Sequence, residues 1–191
     1  MTAVWIVVAI VALLALLLIY GFNRLIRLRT RTQEAWSEID VELKRRHDLI
    51  PNLVSTVQGY AAHERAVFEN VTSLRNQAVA ASQAGNPTAM AGAEDALTAG
   101  VRQVFAVAEN YPQLKAAQLF LDLQEQLTTT EDKVEFSRRF YNGNVRDFNT
   151  ALLTFPTNLY ARILGFTPFA FFAAADSERA APTVQFAQPP P

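Results

Sequence analysis

The sequence predicts an all-α fold in which an N-terminal transmembrane helix is followed by an antiparallel bundle of long helices. Three observations lead to this prediction: an uncharged apolar run near the N-terminus, apolar residues spaced alternately three and four apart after it, and helical instead of strand patterns in the remaining chain. The 191 residues are 50% hydrophobic and 18% charged, which is an apolar balance for a soluble domain.

The apolar run covers residues 3–22, a stretch without a single charge. As a helix it would be about 30 Å long, which is the thickness of the hydrocarbon core of a bilayer. Aromatic residues typical of the membrane interface stand near its ends, Trp5 at one and Tyr20 at the other. A cleaved signal peptide would instead carry basic residues before a shorter apolar core. Residues 1–23 are therefore predicted to be an uncleaved anchor.

The charges around the apolar run predict how the chain is oriented. No Lys or Arg precedes the run, and four arginines follow it: Arg24, Arg27, Arg29 and Arg31. The positive-inside rule then predicts a single-pass protein with a short N-terminus outside and the remaining chain in the cytoplasm. The absence of cysteine agrees with a reducing compartment. The net charge of −1 gives no basic excess for binding nucleic acid.

Residues 24–155 are predicted to form the cytoplasmic bundle. From Trp36 to Ala78, alternate steps of three and four residues meet apolar side chains at eleven of thirteen positions, the exceptions being Arg46 and Glu64. This heptad pattern predicts one long helix that packs against others and passes through Pro51 with a kink. The first predicted break is the stretch rich in Gly, Asn and Pro at residues 82–92.

Two further helical segments are predicted at about residues 94–109 and 113–155, separated by Asn-Tyr-Pro. The sequence "TTTE" at residues 128–131 resembles a capping box, which would divide the last segment in two. The seven-residue apolar step from Leu127 to Val134 favours an undivided helix instead. Long helices joined by short loops must fold back on one another, which predicts the antiparallel arrangement.

An aromatic segment at residues 156–175 has two interpretations. Proline and glycine break it too often for it to span a membrane, so it either lies at the lipid interface or caps the lower core of the bundle. Under the first interpretation, the interfacial residues of the chain are Trp5, Tyr20, Phe166, Phe169, Phe171 and Phe172. Residues 176–191, which end in prolines, are predicted to form a disordered tail.

Few residues could perform catalysis, since the chain has no cysteine and only two histidines, His47 and His63. On a continuous helix these histidines would lie about 160° apart and could not share a metal ion. The known phosphate-binding and protease motifs are missing from the sequence. A hydrolase that uses the carboxylates of residues 38–42 with His47 is the weakest hypothesis, because those side chains diverge around the helix. The prediction is a protein that is no enzyme and uses no cofactor or metal.

Arg46 and Glu64 occupy positions of the apolar seam, where a buried charge requires a partner. For Arg46 the predicted partner is Glu131 across the bundle or Glu42 one turn earlier, and the pair would set the helix register. The alternative is a polar groove beside His47 and Pro51 that receives another molecule.

Asn142, Gly143 and Asn144 form a second candidate site, because three poor helix formers stand together inside a predicted helix. They indicate a local irregularity, a close helix contact or a recognition patch.

Three stretches carry a resemblance to the LemA family: "ELKRRHDLIPNLV" at residues 42–54, "ENYPQLK" at 109–115 and "FYNGNVRDFNT" at 140–150. The resemblance covers residues 4–172 and leaves the tail outside. It implies a bacterial protein that is anchored in the inner membrane by its N-terminus and folds as a four-helix bundle. It implies no catalytic residues. One relative belongs to magnetosome membrane formation, which suggests a membrane-organising role.

The predicted function is that of a membrane-anchored, non-enzymatic scaffold. Its partners would be membrane lipid and a protein still to be identified, either a second copy of the chain or a different one. A regulatory subunit of a membrane protease or transporter is the alternative.

Overall fold

The computed structural model describes residues 1–173, and this part of the chain contains helices and no strand. The helices are α1 Thr2–Gln58, α2 Arg65–Ala84, α3 Pro87–Ala108, the single turn α4 Pro112–Lys115 and α5 Gln118–Leu153, followed by a 3-10 turn at Thr157–Leu159. The predicted all-α fold is confirmed. The predicted tail at residues 176–191 lies outside the described residues.

Helix α1 joins two different environments without interruption. Its first part, up to residue 20, is apolar and exposed along its whole length, and it is long enough to cross a membrane. From Gly21 and Leu25 onward, one face of the same helix is buried in the bundle. The helix also continues through Pro51, as predicted.

The prediction that this first helix continues to Ala78 is wrong, because the chain reverses direction at residues 59–64. The helix ends at Gln58, and the amides of Tyr60 and Ala61 both donate to the carbonyl of Val57, at 3.0 and 2.9 Å. Reversal lets the apolar side chains of α2 pack on α1, whereas a straight helix would leave them in solvent. The apolar spacing keeps the same phase on both sides of the turn, so the pattern alone does not reveal it.

The break predicted at residues 82–92 is much shorter in the structure. Gly85 adopts a φ of 67°, which favours glycine, and the Asn86 side chain accepts hydrogen bonds from the amides of Thr88 and Ala89 at 3.0 and 3.3 Å. Pro87 then occupies the first turn of α3, where its missing N–H is harmless. Asparagine capping thus starts α3 seven residues earlier than predicted.

Helix α5 is undivided across residues 128–131, as the apolar spacing favoured. The hydroxyls of Thr128 and Thr130 donate to the carbonyls of Gln124 and Gln126, at 2.9 and 2.7 Å, within the same helix. These threonines therefore lie inside a continuous helix, where their hydroxyls bond to the preceding turn, and they do not cap a new helix.

The four long helices differ in length, and this difference determines how the end of the bundle beside the apolar segment is closed. Helices α1 and α5 run antiparallel, with Trp36 beside Tyr141 at a ring-centroid distance of 5.2 Å. The α2–α3 hairpin covers only the part of this pair that lies away from the apolar segment. A hydrogen bond of 3.0 Å from Ser82 to Asp40 marks the end of the hairpin that is nearer to the apolar segment. Between the hairpin and the apolar segment, non-helical residues 166–172 pack against α1 and α5. We call these residues the strap.

The prediction that Phe166, Phe169 and Phe172 lie at the lipid interface is wrong, because they belong to the strap and pack inward. Phe172 and Phe166 are only 1% and 6% exposed, and Phe169 is half-buried against the same cores. These three aromatic residues cap the lower core, which was the alternative interpretation. Of the predicted interfacial residues, Trp5, Tyr20 and Phe171 are exposed.

The turn before the strap is attached to the point where α1 enters the bundle. The rings of Phe22 and Phe166 lie 5.8 Å apart in an edge-on arrangement. The Tyr160 side chain fills the space beside Gly21 so closely that a methyl group there would overlap its hydroxyl. Glycine at position 21 is therefore required by the contact between α1 and this turn.

Gly21→Ala should loosen the turn, because the added methyl group displaces Tyr160 at a cost of about 1–3 kcal/mol. Hydrogen exchange of the Ala161 and Leu164 amides, which donate to carbonyls inside the turn, should become faster. A Gly21→Ala/Tyr160→Phe variant should regain protection, since the overlapping hydroxyl is gone.

The matched control for this experiment is Gly143→Ala, because a methyl group on Gly143 meets no atom within 4 Å. This control should leave exchange in the turn unchanged. Equal exchange rates in Gly21→Ala and the wild type would contradict the packing argument.

Candidate functional site

A cluster of polar side chains is buried between α1 and α3. Arg46, His47 and Glu94 are 4%, 5% and 1% exposed, and Thr98 adjoins them. The two oxygens of the Glu94 carboxylate are used separately: one lies 3.4 Å from Nη1 of Arg46, the other 2.6 Å from Nε2 of His47. Because an ionised carboxylate only accepts hydrogen bonds, we assign the hydrogen of this contact to Nε2 of His47.

Thr98 completes this network of hydrogen bonds. Its hydroxyl accepts from Nη2 of Arg46 at 2.6 Å and donates to the backbone carbonyl of Glu94 at 3.0 Å. The Arg46 charge is thus balanced by a carboxylate and its donors are directed to oxygen atoms, as burial requires. The network fixes the position of α3 along α1.

The predicted partners of Arg46 are therefore wrong. Glu131 is half-exposed and lies 3.9 Å from Arg102, while Glu42 lies 3.8 Å from Lys133. A sequence signal for Glu94 did exist, since it precedes Leu97 and Val101 by three and seven residues and so shares the apolar face of α3. A lone acid on an apolar stripe indicates a buried ion pair.

Pro51 creates a second polar contact near His47. Proline has no N–H, so the carbonyl of His47, four residues earlier, has no helical donor. The guanidinium of Arg75 on α2 takes this place, with Nε donating to the His47 carbonyl at 2.7 Å. The proline thus provides a docking point for α2.

A polar groove of about 300 Å³ lies beside His47, although Pro51 is not among its lining residues. Its lining includes Asp40, Lys44 and Asp48 as well as His47 and Arg75. The last two are already engaged with Glu94 and the backbone, so binding of another molecule in this groove stays a prediction.

The groups proposed for hydrolysis or metal binding do not converge. Asp40 accepts from Ser82, Glu42 faces Lys133, and His47 contacts Glu94. His63 is exposed in the turn after α1, and Glu64 forms the N-terminal boundary of α2. Within residues 1–173 no group of three or more His, Asp or Glu side chains is placed to hold a metal ion.

Asn142 holds the strap on α5 through a pair of hydrogen bonds. Its Nδ2 donates to the Phe172 carbonyl at 2.9 Å, and its Oδ1 accepts from the Phe172 amide at 2.8 Å. Asn149 binds Phe169 in the same way, at 2.9 and 3.0 Å. Sequence reasoning missed Asn149, because nothing near it is unusual for a helix.

The spacing of the two asparagines matches the strap. Asn142 and Asn149 are seven residues apart on α5, which is about 10.5 Å along the helix axis. Phe169 and Phe172 are three residues apart, and three residues of extended chain span at most about 10 Å. The two side-chain amides therefore match the backbone spacing of a nearly extended strap, and each pairs with one partly buried N–H and one carbonyl.

The side chain of Phe172 is enclosed by α1 and α5. The guanidinium of Arg138 lies 4.9 Å from the centre of its ring, and Trp36 packs on it at 6.1 Å. Tyr141 donates its hydroxyl to the Ala170 carbonyl at 2.9 Å. Burial raises the pKa of Tyr141, so this phenol keeps its proton and continues to donate in mildly alkaline solution.

The hydrogen bonds to the strap from the predicted Asn-Gly-Asn site come from Asn142, and the other two residues take no part in them. The helix is regular there, Gly143 has open space around it, and Asn144 donates to the Phe140 carbonyl of its own helix. Neither an irregularity nor a close helix contact occurs at these residues.

One side of the bundle exposes apolar side chains from α1 and α5. Val41, Phe136 and Phe140 are between 47% and 65% exposed, and the two phenylalanine rings stack in parallel at 6.4 Å. We call these three residues the side face. A groove of about 440 Å³ beside them contains Glu42, whose Oε2 is buried without a hydrogen-bond partner in the described chain.

Comparison with known proteins adds independent information. The LemA family profile matches residues 35–186. The match continues past the aromatic segment, so the expectation that the tail lies outside the family pattern is wrong.

Named relatives align with most of this chain. The magnetosome protein MamQ 2 of Paramagnetospirillum magneticum is 25% identical over 189 residues, covering 87% of this chain and 69% of the relative. Protein LemA of Metamycoplasma hominis is 28% identical over 158 residues, covering 82% and 71%. The magnetosome protein MamQ of Magnetospirillum gryphiswaldense is 23% identical over 189 residues, covering 87% and 69%.

Breaking the Arg46–Glu94 pair from either side should destabilise the bundle strongly. Arg46→Ala or Glu94→Ala leaves a buried charge without its partner, and we expect a loss of about 3–5 kcal/mol in the free energy of unfolding. The double variant Arg46→Met/Glu94→Leu should recover part of this loss, because the unpaired charge is gone while the buried Nε2 of His47 still lacks its acceptor. Denaturant unfolding of the full chain in detergent measures both.

Arg102→Ala is the matched control, since Arg102 also pairs with a glutamate but is 77% exposed. Its loss should stay below about 1 kcal/mol. Equal losses for Arg46→Ala and Arg102→Ala would contradict the role of the buried pair.

Asn142→Ala and Asn149→Ala should each release the strap. Each variant leaves a partly buried backbone N–H and carbonyl without their partner, which costs at most about 1–3 kcal/mol. Asn144→Ala is the control, and it should be neutral because it removes one bond within its own helix. Limited proteolysis should cut the strap faster in the first two variants only; equally slow cutting in all three would show that the amides are dispensable.

Proposed function

The chain belongs to the LemA family, and from this premise we propose that it is a membrane-anchored, non-enzymatic scaffold. The apolar part of α1 spans the bacterial inner membrane, and the bundle presents a protein-binding surface on the cytoplasmic side. The names of the relatives support a family-level assignment of this kind, since none of those reported above denotes an enzyme.

The unbroken α1 helix is the observation that carries this proposal. The apolar segment is covered by nothing in the described chain, yet core residues begin directly after it, at Gly21 and Leu25. No loop separates the two parts, so the anchor sets the orientation of the bundle. A scaffold needs this property, because its binding surface must be held at a constant height above the membrane.

The arginines after the apolar segment support the cytoplasmic orientation. Arg24, Arg27, Arg29 and Arg31 are all exposed on α1, where they can meet the headgroups of the inner leaflet. The buried polar cluster supports a structural rather than an enzymatic role, because its carboxylate is engaged on both oxygens.

We assign a second copy of the chain as the partner of the side face. Anchoring places Val41, Phe136 and Phe140 at the same height in every copy, so a two-fold axis along the membrane normal brings each side face against its equivalent. Contact would cover the stacked rings of Phe136 and Phe140 and the exposed side chain of Val41. Confinement to a membrane raises the local concentration of the two copies.

Cysteine cross-linking tests this assignment, and the natural chain has no cysteine to interfere. Val41→Cys treated with a short bis-maleimide in native membranes should yield a species of doubled mass. Gln103→Cys, which is exposed on α3 away from the side face, should not. Adding Phe136→Glu should reduce the Val41→Cys product several-fold.

A Val41→Cys product of another mass would instead identify a different partner, as a regulatory subunit of a protease or transporter requires. Membrane orientation is read from Gln103→Cys, which the proposed dimer leaves exposed: a membrane-impermeant maleimide should label it only after the cells are opened. Labelling of intact cells would overturn the proposed cytoplasmic location.

A further inference from the structure

Five large apolar side chains are exposed together at the end of α5 and in the turn that follows. We call them the basal face, and they are Leu153, Phe155, Leu159, Ile163 and Leu164. Their exposed fractions lie between 50% and 84%. Single exposed apolar residues are common, but a group of this density indicates a contact surface.

The basal face lies where α1 leaves its apolar segment. Tyr160, between Leu159 and Ile163, packs against Gly21, and Gly21 is three residues from Arg24. Three residues correspond to about 4.5 Å along a helix, which is less than the thickness of the headgroup layer of a leaflet. The turn therefore stands at the level of the lipid headgroups when the apolar segment spans the bilayer.

Within residues 1–33 and 148–173 the charges are all positive. Residues 1–33 contain four arginines and no acid, and Arg162 is exposed within the turn itself. From residue 148 to the end of the described chain there is likewise no acid. A surface of apolar side chains with arginine beside them complements anionic headgroups over an apolar layer.

The structure assigns the basal face as a second membrane contact, which inserts into the interface of an anionic bilayer beside the anchor. This inference rests on the proposed anchoring of α1. It differs from the interfacial interpretation of the phenylalanines, since Phe166 and Phe172 are buried and hold the turn in place. The residues that meet lipid are instead the aliphatic ones and Phe155.

A groove on the same part of the molecule strengthens the assignment to lipid. It measures about 650 Å³ and lies between α5 and the turn, with Leu152, Phe166 and Arg162 among its lining residues. An apolar groove with one arginine provides contacts for an acyl chain and for a phosphate group. A protein partner would have to enter the headgroup layer to reach it.

Two attachment points have a mechanical consequence. A single helix can tilt and rotate in a bilayer, whereas a helix with an inserted turn beside it has one favoured rotation. The basal face would thus fix the rotation of the bundle about the axis of α1, and with it the direction in the membrane plane toward which the side face points. Self-association through the side face benefits directly, because both copies then present it parallel to the membrane plane.

Site-specific fluorescence tests the inference on the full chain in vesicles. Ile163→Cys and Leu159→Cys, each labelled with the environment-sensitive dye NBD, are reconstituted in phosphatidylcholine mixed with phosphatidylglycerol. Both positions should show blue-shifted emission and several-fold stronger quenching by lipids with a nitroxide near the headgroup than by lipids with a nitroxide at the chain end. Replacing phosphatidylglycerol by phosphatidylcholine, or Arg162 by Gln, should weaken this quenching.

Two control positions separate the outcomes. Ala15→Cys in the apolar segment should be quenched by the deep nitroxide, and Gln103→Cys on α3 by neither. Quenching at Ala15 without quenching at Ile163 and Leu159 would overturn the basal contact and leave the anchor intact. A lack of quenching at Ala15 would overturn both proposals, and quenching at Gln103 would show a bundle lying on the membrane without a specific face. Circular dichroism confirms that each exposed-site variant keeps its helices.

Discussion

The continuity of α1 is the constraint on which the rest of the molecule depends. One helix carries an apolar segment that nothing in the described chain covers, and then becomes the central helix of the bundle. Because the backbone hydrogen bonds run through the junction without a loop, the two parts share one axis. The other three long helices and the 3-10 turn pack on the second part, and their position relative to the apolar segment follows from that axis.

The unequal lengths of the helices determine how the lower bundle is closed. Helices α2 and α3 have 20 and 22 residues, whereas α5 has 36, so the α2–α3 hairpin stops short of the apolar segment. Non-helical chain fills the remaining space, and its partly buried backbone groups need partners that a helix would have provided internally. Asn142 and Asn149 supply them. When the strap is held in this way, the apolar side chains of the turn that precedes it remain exposed.

The buried cluster shows how charge can specify an arrangement that apolar packing alone leaves open. Apolar stripes of two helices slide past one another at little cost, but Arg46 and Glu94 are compensated in one register only. His47 adds a second bond to the same carboxylate, and its carbonyl, released by Pro51, docks Arg75 from α2. Three helices are thus tied to one another through two adjacent residues of α1.

Local patterns in the amino-acid order were sufficient for the all-α fold, the apolar segment, the helix through Pro51 and the undivided α5, because runs and periods are properties of neighbouring residues. The reversal at residues 59–64 was hidden, since the apolar phase is the same on both sides of it. Which carboxylate meets Arg46, and whether Phe172 faces lipid or core, depended on which elements become neighbours. Both outcomes depend on packing between residues far apart in the sequence, because Glu94 and the strap become neighbours of α1 only in the folded chain.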